Sequence, residues 1–279
     1  MPRRVLLAAL LLGACATPAQ AAGVAQKTVR ATQGTVVATL SYQQGSDSFG
    51  NATFANLRLQ ISRVGAAVYE RPVSSRYCES SCDPEAFGAS PLAVKDLEGN
   101  GQSEVVLDLN TGGAHCCTVV QVFSYDAHVS SYRLLERNFG DPGALLTDVA
   151  GDGHLEFESA DDRFAYAFTS FAYSALPPQI WRLRKGRFVD VTRAFAKVVA
   201  ADAKHQFKSF LANRAQGLGL GYIAAWAADE CLLGRHALAS ATLAREARLH
   251  RLRSGDGLSP GGGAFVKKLE RFLRKNGYT

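Results

Sequence analysis

Asp96-Leu97-Glu98-Gly99-Asn100-Gly101-Gln102-Ser103-Glu104 returns fifty-two residues later as Asp148-Val149-Ala150-Gly151-Asp152-Gly153-His154-Leu155-Glu156. Asp, Gly, Gly and Glu recur at the same offsets. A short apolar run precedes each copy (residues 91–94 and 144–146), and another, 105–107, follows the first. Oxygen-bearing side chains at alternate positions round a tight turn suit a hard cation such as calcium. The same residues also make a polar turn held by side-chain-to-backbone hydrogen bonds. Both readings stand on the residues alone.

Outward from these loops the chain alternates with period two, the mark of strands. Residues 35–42 and 55–61 read as strands around a turn at 45–51, and 66–70 as another stopped by Pro72. Residues 105–109 and 118–125 are strands on their β-branched and aromatic content, and 132–137 is a further strand after a short polar loop. After the second loop, 155–159, 164–171 and 179–183 are predicted strands, with 184–187 turning into 188–191. At Thr192, a suitable N-cap, the period changes. Phe195, Val198, Val199, Ala203, Phe207, Phe210 and Leu211 step by threes and fours, as on an amphipathic helix. Residues 222–233 and 237–252 read as a helical pair. A loop at 254–263 leads to a last helix, 264–276, which buries Phe265, Leu269, Phe272 and Leu273 and ends before Gly277 at C′. The expected fold is mainly β with an α-helical C-terminal unit: a leader at 1–21, a β domain at 22–191 and a helical unit at 192–279.

An EF-hand loop needs flanking helices and a bidentate Glu at its twelfth position. Here Leu107 stands twelfth and the flanks are strands, which excludes it. Instead, 91–195 resembles the FG-GAP (VCBS, integrin-like) repeat, whose blades carry an Asp-x-Asp-Gly-Asp-Gly-x-x-Asp/Glu loop between strands. The two repeats cover about 91–140 and 144–191. The resemblance implies antiparallel β repeats forming a partial propeller or open β domain, since a full propeller needs four or more blades. It also implies Ca2+ held by Asp96, Glu98, Asn100, the Gln102 carbonyl and Glu104, with Asp148, Asp152 and Glu156 as the second set. Ala150 removes the third-position ligand from the second loop.

The first residues, Met1-Pro2-Arg3-Arg4 and an apolar run over 5–16, form a secretory leader with an Ala19-Gln20-Ala21 cleavage pattern. Leu12-Gly13-Ala14-Cys15 also fits a lipobox, which would make Cys15 a lipid anchor. Either route exports the chain to a periplasmic, cell-surface or secreted location. Loss of Arg3 and Arg4 lowers the formal charge of +6 to about +4. The excess lies late: Arg245, Arg248, Arg251, Arg253, Lys267, Lys268, Arg271, Arg274 and Lys275. A solvated helix face accounts for it, as does contact with an anionic envelope polymer or lipid headgroup. Nucleic acid is excluded as a partner because basic and aromatic residues do not interleave.

Export permits disulfides. Two bridges tying the Cys78/Cys82 loop to the Cys116/Cys117 strand are the economical scheme, because strand neighbours point to opposite faces. A zinc site of His115 with these thiols competes, although the spacings are not those of a zinc ribbon or finger. Cys231 falls in an apolar helical stretch and reads as a buried thiol. Without a hydrolase motif, the expected function is non-enzymatic binding of a cell-envelope polymer or another exported protein. The rival is a secreted hydrolase gathered on His115, Asp108, His154 and Asp152.

Overall fold

The computed structural model describes residues 24–79, 82–84, 90–112 and 116–279. The leader, the Cys15 anchor and His115 lie outside the described residues.

Three antiparallel sheets succeed one another along the chain. The first contains β1 (Ala25–Gln33), β2 (Val36–Ser46), β3 (Ala52–Arg63) and β4 (Ala66–Pro72), in sequential order. Its last hairpin turns on Val64 and Gly65, both at positive φ (51° and 81°), as a two-residue turn matched to strand twist requires. The second sheet is built on β7 (Glu104–Asn110), β8 (Thr118–Asp126) and β9 (Ser131–Gly140). The short β5 (Asp83–Pro84) and β6 (Leu92–Lys95) both pair with β7. The third runs β10 (Leu145–Thr147), β11 (Glu156–Ala160), β12 (Pro178–Leu183), β13 (Phe188–Asp190).

The sheets stack, with the second in the middle. Val105, Leu107 and Leu109 of β7 and Val119 and Phe123 of β8 pack with Val36, Leu40, Leu59 and Ile61 of the first sheet. The intervening Val106, Val120 and Val122 pack with Phe157 and Leu183 of the third. Alternate side chains of a strand leave opposite faces, so a strand buried on both faces needs an unbroken apolar run. β7 and β8 come near to this, broken only by Asp108 and by the buried Gln121 between their apolar residues. The described strands form this open stack and no closed propeller.

Four helices follow: α1 (Ala196–Asn213), α2 (Leu220–Leu232), α3 (His236–Arg248) and α4 (Gly262–Lys275). Their apolar faces meet in one core around Phe210, Ile223, Trp226, Phe265 and Leu269. α4 closes with Gly277 at φ 80°. The Tyr278 N–H donates to the Leu273 carbonyl at 3.0 Å and that of Gly277 to Arg274 at 3.3 Å, the two bonds of a Schellman motif. None of the described helices is long and apolar enough to cross a membrane.

Two local expectations are corrected. Residues 164–171 do not form a strand. Single 3-10 turns at Asp162–Phe164 and Phe171–Tyr173 bracket the segment, because Phe164 and Phe168 both enter the helical core. Their four-residue spacing does not fit alternation. Thr192 does not cap α1, which begins four residues later behind a 3-10 turn. Its hydroxyl instead accepts the Ile180 N–H at 2.9 Å and donates to Asp190 at 2.6 Å, fixing the helical unit to β12.

Candidate functional site

The loop between β6 and β7 and the loop between β10 and β11 have the same construction. In the first, Asp96 Oδ1 accepts the Asn100 N–H at 3.1 Å and Oδ2 accepts that of Gly101 at 2.8 Å. In the second, Asp148 accepts Asp152 at 3.0 Å and Gly153 at 2.8 Å through the same oxygens. Asn100 Oδ1 accepts the Gln102 N–H at 2.8 Å, as Asp152 Oδ1 accepts that of His154 at 3.0 Å. Gly99, Gly101, Gly151 and Gly153 all lie at positive φ, a conformation that favours glycine. The closing glutamates are buried, Glu104 at 2% exposure and Glu156 at 0%. Their Oε2 atoms accept the N–H of Leu97 at 2.9 Å and of Val149 at 3.0 Å.

The loops are also neighbours. The His154 ring lies beside Gly99, where an added Cβ would stand 3.7 Å from it. Glu98 Oε1 accepts the Gly186 N–H of the β12–β13 hairpin at 2.9 Å. Arg63 of the first sheet donates to the Gln102 side chain.

They differ in charge compensation. Arg182 on β12 pairs with Glu156, and its Nη2 stands 3.4 Å from Asp152 Oδ2. In the first loop no basic side chain among the described residues pairs with Glu104. Burial pushes its carboxyl up to about 7, against the Leu97 N–H, and Glu98 and Asp96 add to the rise. Ser124 on β8 has a buried Oγ without a hydrogen-bond partner among the described residues. In the second loop the bond from the Gly153 N–H leads in holding Asp148 below the usual carboxylate range.

Asp96, Glu98, Asn100, Gln102 and Glu104 therefore share one loop, and Asp148, Asp152 and Glu156 the other. Their side-chain oxygens face mainly the loops' own N–H groups. Among the described residues no group of three or more His, Cys, Asp or Glu converges as metal ligands. The donor set is all oxygen, which fits calcium, and Glu104 is a buried carboxylate without a basic partner among the described residues. A cation at the first loop would need the Asp96 and Asn100 side chains to turn from the backbone. Sequence reasoning missed Arg182, which lies twenty-six residues from Glu156 and meets it only through sheet pairing.

The bridging scheme is corrected. Cys78 pairs with Cys82 within its own loop, with Cα atoms 5.6 Å apart, inside the range a disulfide spans. Cys116 and Cys117 lie side by side just before β8, with their sulfurs facing each other. Cys231 is a buried free thiol. Of the hydrolase candidates, Asp152 is engaged by Arg182 and by the His154 N–H. Asp108 stands four residues along β7 from Glu104, roughly 13 Å away at strand rise.

Neither a family model nor a solved structure matches the chain. It is 30% identical over 207 residues to a probable thylakoid lumen protein of Synechocystis sp.. That alignment covers 72% of the chain and 58% of the relative, so the chain spans little more than half the relative's length. An uncharacterised protein of Sinorhizobium fredii is 30% identical over 91 residues, 32% of the chain and 14% of that protein.

Proposed function

We propose that this is an exported, non-enzymatic binding protein with an FG-GAP-like sheet scaffold, and that calcium stiffens its first acidic loop. The partner is a cell-envelope polymer or another exported protein. The leader pattern and the lumenal relative support export. The contrast between the twin loops carries the calcium reading. Glu156 is neutralised by Arg182, whereas Glu104, equally buried, has no basic partner among the described residues. A buried charge is tolerated when paired or metal-bound. Calcium goes to the first loop in this proposal, and in the second Arg182 supplies the positive charge.

The test is urea unfolding of the mature protein in EDTA and in calcium. Binding to the folded state alone stabilises it by about 2.7 kcal/mol at a hundredfold excess over Kd. Superimposable curves would remove calcium from the proposal. Turnover of envelope glycans, esters or peptides by the purified protein would remove the non-enzymatic reading.

A further inference from the structure

Two cavities of about 480 and 500 Å3 adjoin where the third sheet meets the C-terminal tail. Arg163, Gln179, Asp190 and Asn276 line both, so the two form one groove. It draws on β9, β12 and the residues after α4.

Its inner half holds a guanidinium that forms no ion pair among the described residues, although Asp190 acts on it from across the groove. The Arg137 side chain lies flat on Trp181, 3.3 Å from the ring centroid, with Phe139 beyond at 5.4 Å. Its Nε is buried without a hydrogen-bond partner among the described residues, and so is the Nε1 of Trp181. Among the described residues no acidic side chain pairs with Arg137. The ring holds this cation in place, and no hydrogen bond joins its guanidinium to another described residue.

The other cations of the groove differ. Arg163 is committed to Asp161. Arg193 is held by the carbonyls of Cys231, Leu232, Gly277 and Tyr278, which orient it without neutralising it. Arg184 is exposed at the rim. Against these stand the carboxylates of Asp162 and Asp190.

We propose that the groove binds a small monocarboxylate that also carries hydroxyl or amino donors. A planar guanidinium with a free edge matches a carboxylate through two parallel hydrogen bonds, and the Trp181 N–H is a neutral donor beside it. Asp162 and Asp190 repel a phosphate dianion, but accept from hydroxyl or ammonium groups on the same ligand. This inference rests on the reading of the chain as a binding protein and deepens it. A sugar acid and an amino acid both present the required chemistry.

The chain has two tryptophans, Trp181 and Trp226, so Trp226→Phe leaves Trp181 as the sole indole emitter. The folded variant is titrated with sodium glucuronate, with L-alanine, with glucose and with inorganic phosphate. A saturable change in Trp181 emission is expected with glucuronate or alanine, and none with glucose. Arg137→Gln in the same background should weaken the response at least tenfold. A response to glucuronate alone assigns a sugar acid, and one to alanine alone an amino acid. Calorimetry on the unsubstituted chain gives the same reading if Trp226→Phe does not fold. The proposal is overturned by no binding of either carboxylate up to about 10 mM, a level far above a millimolar Kd. It is also overturned by phosphate binding in their place, or by equal binding to Arg137→Gln. Calcium-dependent stability is read separately, so either result can fail while the other stands.

Discussion

Ser124 and Arg182 hold the same place in consecutive sheets. Ser124 follows Phe123, the ladder partner of Val105, and Arg182 follows Trp181, the ladder partner of Phe157. Val105 and Phe157 each follow the glutamate that closes a loop. One sheet thus sets a guanidinium across from its buried glutamate, and the other a hydroxyl without a partner among the described residues. This position sets the charge compensation of the two closing glutamates.

Arg182→Ser should leave the buried Glu156 as unpaired as Glu104. Removing one partner of a buried pair costs about 3–5 kcal/mol. The expected result is a fall of that order in urea-derived stability measured in EDTA. Calcium should recover part of it, and a loss indifferent to calcium would show that the second loop does not accept the ion.

Glu104→Gln keeps an oxygen for the Leu97 N–H while removing the buried charge. In EDTA the variant should be as stable as the parent or more so by about 1 kcal/mol. It should lose the calcium response. Differential scanning calorimetry with and without calcium reads both effects.

Asp229 on α2 is fully buried, and no N–H or O–H of another described residue donates to its carboxylate oxygens. Burial, reinforced by Asp202 on α1 and by neighbouring Glu230, raises its carboxyl to about 10. Because the folded value lies above the unfolded one, its contribution is complete below about pH 4 and is lost as pH rises towards 10. Asp229→Asn should flatten that decline and stabilise the protein by about 2 kcal/mol at neutral pH. Denaturant midpoints at pH 5, 7 and 9 on both proteins test this; parallel slopes would contradict it.

Gly221→Ala should destabilise strongly. A Cβ there would collide with the Tyr173 carbonyl and crowd the Thr169 methyl. The first turn of α2 therefore sits directly against the 3-10 segment leaving the third sheet. Overpacking of this kind costs about 1–3 kcal/mol, measurable as a lowered Tm.

The twin loops and the shift from strands to helices were legible because both are local. Gly99, Gly101, Gly151 and Gly153 announce positive φ, and Phe265, Leu269 and Leu273 announce a buried helix face. What escaped the sequence was non-local or ambiguous. Arg182 reaches Glu156 through a ladder, and the groove joins Arg137, Trp181 and Asn276 from three distant segments. Phe164 and Phe168 suggested a strand by composition but sit in the helical core. Cys78 pairs with Cys82 inside one loop, and cysteine spacing alone does not fix connectivity.

With apolar side chains on both faces, the middle sheet cannot be the outer wall of any smaller fragment. A chain cut after Gly140 would expose Val106, Val120, Val122 and Phe139 to water, a sticky surface on which copies would aggregate. Work on a single repeat therefore has to keep both flanking sheets attached.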